Sequence, residues 1–200
     1  NKINKNTQKF FDLKKILFGA ISTHQGEETF CTKIHTDLKK RYINGITIII
    51  PRHIHRTSDI KEEIEKIGLK VHLHSSGRKI DNKTDIYLVD TFGETKLFIK
   101  ICKIVFLGGS LIQHGGQNPL EAARLGCKII HGPNIDNFLE VYSLLNKNNI
   151  SSKIRTISQA KDIVKKNLNN KFSSKKIIKK LNFIGNEVLL NNQKEINKYI

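Results

Sequence analysis

Ile46-Thr47-Ile48-Ile49-Ile50 is followed at once by Pro51. Every one of the five residues is β-branched, so the segment favours extended backbone. It has no polar face to turn to water and reads as a strand buried on both sides, as in a parallel sheet. Pro51 has no N–H to offer a ladder and marks its end. Runs of the same kind lie to either side, at residues 16–20 (ILFGA), 69–74, 86–89, 104–107 and 128–131. Helical patterns separate them, at residues 27–40, 58–67, 94–102, 118–125, 138–145 and 158–168. In the second of these, Ile60, Ile64 and Ile67 share one face, Ser58 is the expected N-cap and Gly68 the stop. Apolar strands alternating with helices predict an α/β fold, a doubly wound, Rossmann-like parallel sheet of about six strands.

Residues 14–170 read as one domain, residues 1–13 as a polar linker that enters it, and residues 171–200 as a C-terminal helical tail. The chain opens on Asn1 and contains no methionine, so it reads as part of a longer protein. Cys31, Cys102 and Cys127 are far apart and form no pattern with metal spacing. No run of about eighteen apolar residues is present to span a membrane. The net charge of +17 is spread thinly among Asn and Ile, without basic–aromatic interleaving, which argues against a nucleic-acid surface. Its densest cluster, Lys175, Lys176, Lys179 and Lys180, reads as a solvated helix face, and an anionic membrane surface is a second use for such charge.

Ligands of doubly wound sheets bind at the carboxyl ends of the strands. Four such ends carry unusual sequence. Ser22-Thr23-His24-Gln25-Gly26-Glu27-Glu28 is a polar loop that runs into a helix start, where free N–H groups favour an anion. Pro51-Arg52-His53-Ile54-His55-Arg56 sets two arginines after the isoleucine strand, suited to phosphate or carboxylate. Asp90-Thr91-Phe92-Gly93-Glu94 includes a glycine that lets backbone approach a flat ring. The fourth is Gly108-Gly109-Ser110-Leu111, followed by Gly115-Gly116-Gln117-Asn118-Pro119-Leu120-Glu121. Here Asn118 suits an N-cap, Pro119 the first helical position and Glu121 the capping-box position. Glu121 can also turn outward to sugar hydroxyls, and the two uses compete for one carboxylate.

In this order and spacing, GAISTHQGEE, PRHIHR, DTFGE, GGSLIQHGGQNPLEAA and GPNIDNF resemble the C-terminal domain of bacterial 3-deoxy-D-manno-octulosonic acid (Kdo) transferases. The likeness covers residues 10–145 well and the tail loosely. It implies the C-terminal half of a two-domain GT-B glycosyltransferase. Such an enzyme moves Kdo from CMP-Kdo to the lipid A precursor in lipopolysaccharide biosynthesis, with inversion, no cofactor and no catalytic metal. The resemblance assigns the acceptor, the general base and the membrane anchor to an N-terminal domain outside this sequence, so donor binding is the only role carried over and the chain alone is expected to be inactive. It places the whole enzyme on the cytoplasmic face of the bacterial inner membrane.

The same resemblance implies roles for particular residues. Pro51 and Arg52 meet the nucleotide or its phosphate. Phe92, Gly93 and Glu94 line the cytidine pocket. Asn118, Pro119, Leu120 and Glu121 hold phosphate and ribose, beside Gly108, Gly109, Ser110, Gly115 and Gly116. Ser22, Thr23, His24 and Arg56 face the Kdo unit, next to Gly26 and Glu27, and Asn137 shapes the cleft floor. Gln117, His55 and Thr95 depart from the family's usual residues at their positions. The competing readings are another GT-B nucleotide-sugar enzyme, either a UDP-sugar transferase or an epimerase, and a basic nucleic-acid-binding protein.

Overall fold

A computed structural model describes residues 5–169 and 173–196. The first four residues of the expected linker, residues 170–172 and the last four of the tail lie outside the described residues. Seven strands form one sheet: β1 (Lys15–Thr23), β2 (Gly45–Pro51), β3 (Val71–Leu73), β4 (Ile86–Leu88), β5 (Ile104–Leu107), β6 (Lys128–His131) and β7 (Ser151–Lys153). Every pairing is parallel and the order is β3-β4-β2-β1-β5-β6-β7. Eight α-helices connect and flank them: α1 (Lys5–Leu13), α2 (Glu27–Lys39), α3 (Thr57–Lys66), α4 (Thr95–Ile101), α5 (Leu120–Arg124), α6 (Leu139–Lys147), α7 (Ile157–Asn169) and α8 (Ser174–Ile196).

The isoleucine run explains the two layers. Strand side chains alternate between faces, so Ile46, Ile48 and Ile50 enter one core and Ile49 the other. The first core takes Phe10 and Phe11 of α1, Phe98 of α4, Ala122 and Ala123 of α5, and Tyr142 of α6. The second takes Ile34 and Leu38 of α2, Ile60 and Ile64 of α3, and Val164 of α7. Thr47 also faces α2, where its hydroxyl lies 2.9 Å from Nδ1 of the fully buried His35.

Four details differ from the sequence expectation. The expected linker holds a helix, α1, whose polar composition hides Phe10 and Phe11 in the core. A seventh strand, β7, has too little apolar character to stand out and joins the sheet through β6 alone. Helix α3 starts at Thr57 with no side-chain cap, because a 3-10 turn at Ile54–Arg56 leads straight into it, so Ser58 is not its N-cap. The strand expected at 69–74 is only Val71–Leu73, and a 3-10 turn, His74–Ser76, follows. In the tail, α8 buries parts of Ile177 and Leu181 while Lys175, Lys176, Lys179 and Lys180 stay exposed.

Candidate donor site

Because all seven strands run the same way, the loops that follow them share one edge. The chain winds outward in opposite directions from β1 and β5, which pair at Gly19, Ala20 and Ile21. This is the switch point at which such sheets open a crevice. Ser22 ends β1 with a left-handed φ of 54°, a costly conformation for a residue with a Cβ, and such strain gathers at ligand sites. Gly108 crosses directly over it, where any Cβ would collide with the Ser22 carbonyl. The glycine is required by chain packing there.

Glu27 organises the centre of this edge. It is 1% exposed. Its Oε2 accepts the N–H of His24 at 2.9 Å and of Gly109 at 2.8 Å. Its Oε1 accepts the N–H of Ser110 at 3.1 Å and of Leu111 at 3.0 Å. The carboxylate thus fills the anion cradle made by the first double-glycine loop. The Glu27 carboxylate and the amides of Gly109, Ser110 and Leu111 satisfy one another. The Ser110 hydroxyl is likewise internal: it donates to the Leu107 carbonyl and accepts the Gly132 N–H. Arg56 is also engaged. Its guanidinium grips Glu28 of α2 through two bonds of 3.1 and 3.3 Å, a fork that holds the loop after β2 against α2 rather than leaving Arg56 free for a sugar carboxylate.

Other groups remain open. Arg52 is exposed, its N–H donates to the Thr23 carbonyl, and its guanidinium has no hydrogen-bond or ion-pair partner among the described residues. Thr23 and His24 are buried, yet Oγ1 of the first and Nε2 of the second lack hydrogen-bond partners. Buried polar atoms left unmatched are costly and call for a ligand or water. Burial, then neighbouring His114, lower the His24 pKa; Glu27 opposes them, and His53 and Arg52 add to the lowering. The His24 ring lies 4.3 Å from that of His114 and 5.9 Å from that of His53.

The second glycine loop closes onto the first. Gly116 N–H donates to the Gly109 carbonyl, Asn137 N–H to the Gly115 carbonyl, and Asn137 Nδ2 to the His114 carbonyl. Just ahead of α5, Asn118 Oδ1 accepts the N–H of Leu120, the first residue of the helix, at 3.0 Å, while Pro119 holds the N-cap position. Glu121 makes no capping-box bond. It is exposed and has no side-chain partner among the described residues, which resolves the competition for its carboxylate in favour of an outward orientation.

The loop after β4 stands apart. By strand order it is three spacings from β5, roughly 14 Å. Phe92 is 77% exposed, and Gly93 turns the chain toward α4. Glu94 accepts from the Thr91 hydroxyl at 2.5 Å and lies 3.0 Å from His74 Nε2. His74 Nδ1 in turn meets the Tyr87 hydroxyl at 2.7 Å. This chain borders a groove of about 710 Å³ between α1 and β3, lined by Lys5, Phe10, His72, Arg78 and Tyr87 among others. Sequence reasoning missed His74 and His114. Both lie far in sequence from the residues they meet, and only the fold brings them together.

Comparison with known proteins places this edge in context. No protein-family model matches the chain. It is 30% identical over 174 residues to the 3-deoxy-D-manno-octulosonic acid transferase of Haemophilus influenzae, and 35% identical over 132 residues to a probable mitochondrial one of Arabidopsis thaliana. These alignments cover 87% and 65% of the chain. The crystal structure of the C-terminal CMP-Kdo binding domain of WaaA from Acinetobacter baumannii superposes with a TM-score of 0.78 at 25% identity, over 86% of this chain and 90% of that one. The chain is related to the C-terminal part of the Kdo transferases. It spans 40% of the Haemophilus Kdo transferase and 30% of the Arabidopsis one. The seven-stranded parallel sheet is the fold expected of that part.

Proposed function

We propose that this chain is the donor-binding portion of an inverting glycosyltransferase that transfers Kdo from CMP-Kdo to the lipid A precursor. The observation that carries the proposal is the near-complete superposition on a CMP-Kdo binding domain, together with one edge on which Arg52 and Glu121 are left unpartnered. Arg52 is assigned the phosphate, Glu121 the ribose hydroxyls, Phe92 and Gly93 the cytosine side, and Thr23 and His24 the sugar acid. When the glycosidic bond breaks, CMP departs with growing negative charge on its phosphate. A guanidinium stabilises that charge most effectively at an edge that a second domain can close from water. The donor is its own activated group, and we assign the site no resident cofactor or metal.

The general base and the acceptor site are assigned to an N-terminal half, as the family resemblance implies. The cytoplasmic face of the inner membrane is the proposed location, where exposed lysines of α8 would meet anionic lipid. No observation favours a UDP-sugar enzyme or a nucleic-acid-binding protein over this reading. Calorimetric titration with CMP-Kdo tests it. Arg52→Ala and Glu121→Ala are each expected to weaken binding about tenfold or more, the scale of one lost charge-assisted contact. Affinity unchanged in both variants would refute this site.

A further inference from the structure

His114 has no part in the reading above, and its surroundings suggest one. It sits in the connection between the two glycine loops, exposed to solvent, with its ring 4.3 Å from that of His24. Between them lies Gly109, with φ of 66°, where a Cβ would press on the His114 ring and approach His24 Nε2. The glycine therefore leaves bare backbone beneath two imidazoles. His24 Nε2 is buried and unpartnered, whereas the His24 N–H is already committed to Glu27.

We propose that His24 and His114 form a protonatable pair that takes up a proton when an anionic group of the donor binds over Gly109. This rests on the donor-binding reading and adds to it a pH-dependent grip. The charged and titratable neighbours from each packed element are Glu27 of α2, Arg52 and His53 after β2, and His55, whose ring is 5.6 Å from that of His53. Glu28 and Arg56 neutralise each other close by. Glu27 is shared among four amides, while burial, a second imidazole and Arg52 all oppose charge on His24. Neutral His24 is the resting state. An anion reverses the balance, because it favours the imidazolium and accepts its N–H. The pKa in the complex then exceeds that of the free protein. Affinity is highest below the free value and falls as pH rises through the complex value.

The anion is either the sugar carboxylate or the phosphodiester, and two probes separate them. CMP-Kdo carries both groups, and the methyl phosphodiester of CMP carries only the second. Neither titrates near neutrality. Each is titrated into the chain by calorimetry at about pH 7, in two buffers of different ionisation enthalpy, which reports protons taken up per ligand bound. The expected result is uptake approaching about one proton with CMP-Kdo, and weaker binding at about pH 8 than at about pH 6. Uptake with CMP-Kdo alone assigns the carboxylate, and uptake with both ligands assigns the phosphate. His114→Gln, at an exposed position, should lower the uptake and flatten the pH profile. Tight binding without proton uptake, or uptake unchanged in both His114→Gln and His24→Asn, would overturn the pair while leaving donor binding intact. No binding of either ligand to the wild-type chain would overturn the donor reading and this inference together.

Discussion

At the scale of single residues, the site divides into groups that hold it and groups left free. Glu27 and Arg52 are the clearest contrast. Replacing Glu27 by Gln leaves one oxygen to serve amides that two now satisfy, and turns an NH₂ toward N–H donors. We expect Glu27→Gln to lower stability by about 2–3 kcal/mol in urea unfolding, from buried amides left unmatched. Arg56→Ala strands the carboxylate of Glu28, whose side chain is 3% exposed, and should cost about 3 kcal/mol. Arg52→Ala removes no internal partner and should leave the urea midpoint unchanged while weakening nucleotide binding. A stability loss in Arg52→Ala equal to that of Arg56→Ala would contradict this division. The sequence placed Glu27 at a helix start, yet could not reveal that its carboxylate closes on amides 82 to 84 residues away. Long-range pairing of this kind leaves no local pattern.

At the scale of elements, what was legible followed from composition. β-branched runs exposed the buried strands, and Asn118-Pro119 exposed the start of α5. Asn118→Ala removes the acceptor of the Leu120 N–H and should cost about 1 kcal/mol in urea unfolding. Helix α1 was illegible as a helix because most of its residues are polar, although Phe11 is 4% exposed and meets the rings of Tyr87 and Phe98 edge-on. Phe11→Ala is expected to cost about 3–5 kcal/mol, as for a core phenylalanine; a cost near zero would return residues 5–13 to the role of a linker. The opposite edge of the sheet carries a polar tie between α2 and β4. Burial would raise the Asp85 pKa, but His35, Lys39 and the Lys70 N–H outweigh it and hold the carboxyl well below the usual range. A folded pKa below the unfolded value means stability that is present above about pH 4 and lost as pH falls further. Asp85→Asn should therefore flatten the acid limb of stability, measured by urea midpoints across that range.

At the scale of the whole molecule, the parallel sheet gathers the β1, β2, β4, β5 and β6 loops onto one edge, which is why motifs scattered over a hundred residues could be read as one site. Their order was legible; their division of labour was not, since engaged and free side chains look alike in sequence. The excess positive charge lies mainly on solvated faces such as α8 and needs no nucleic acid to account for it. Everything proposed for this edge depends on its recognising a cytidine nucleotide. Calorimetric titration of the chain with CMP and with UMP tests it most directly. CMP is expected to bind tighter by about tenfold or more, the effect of one satisfied against one unmatched hydrogen-bonding edge on the base. Equal affinity for UMP would contradict it.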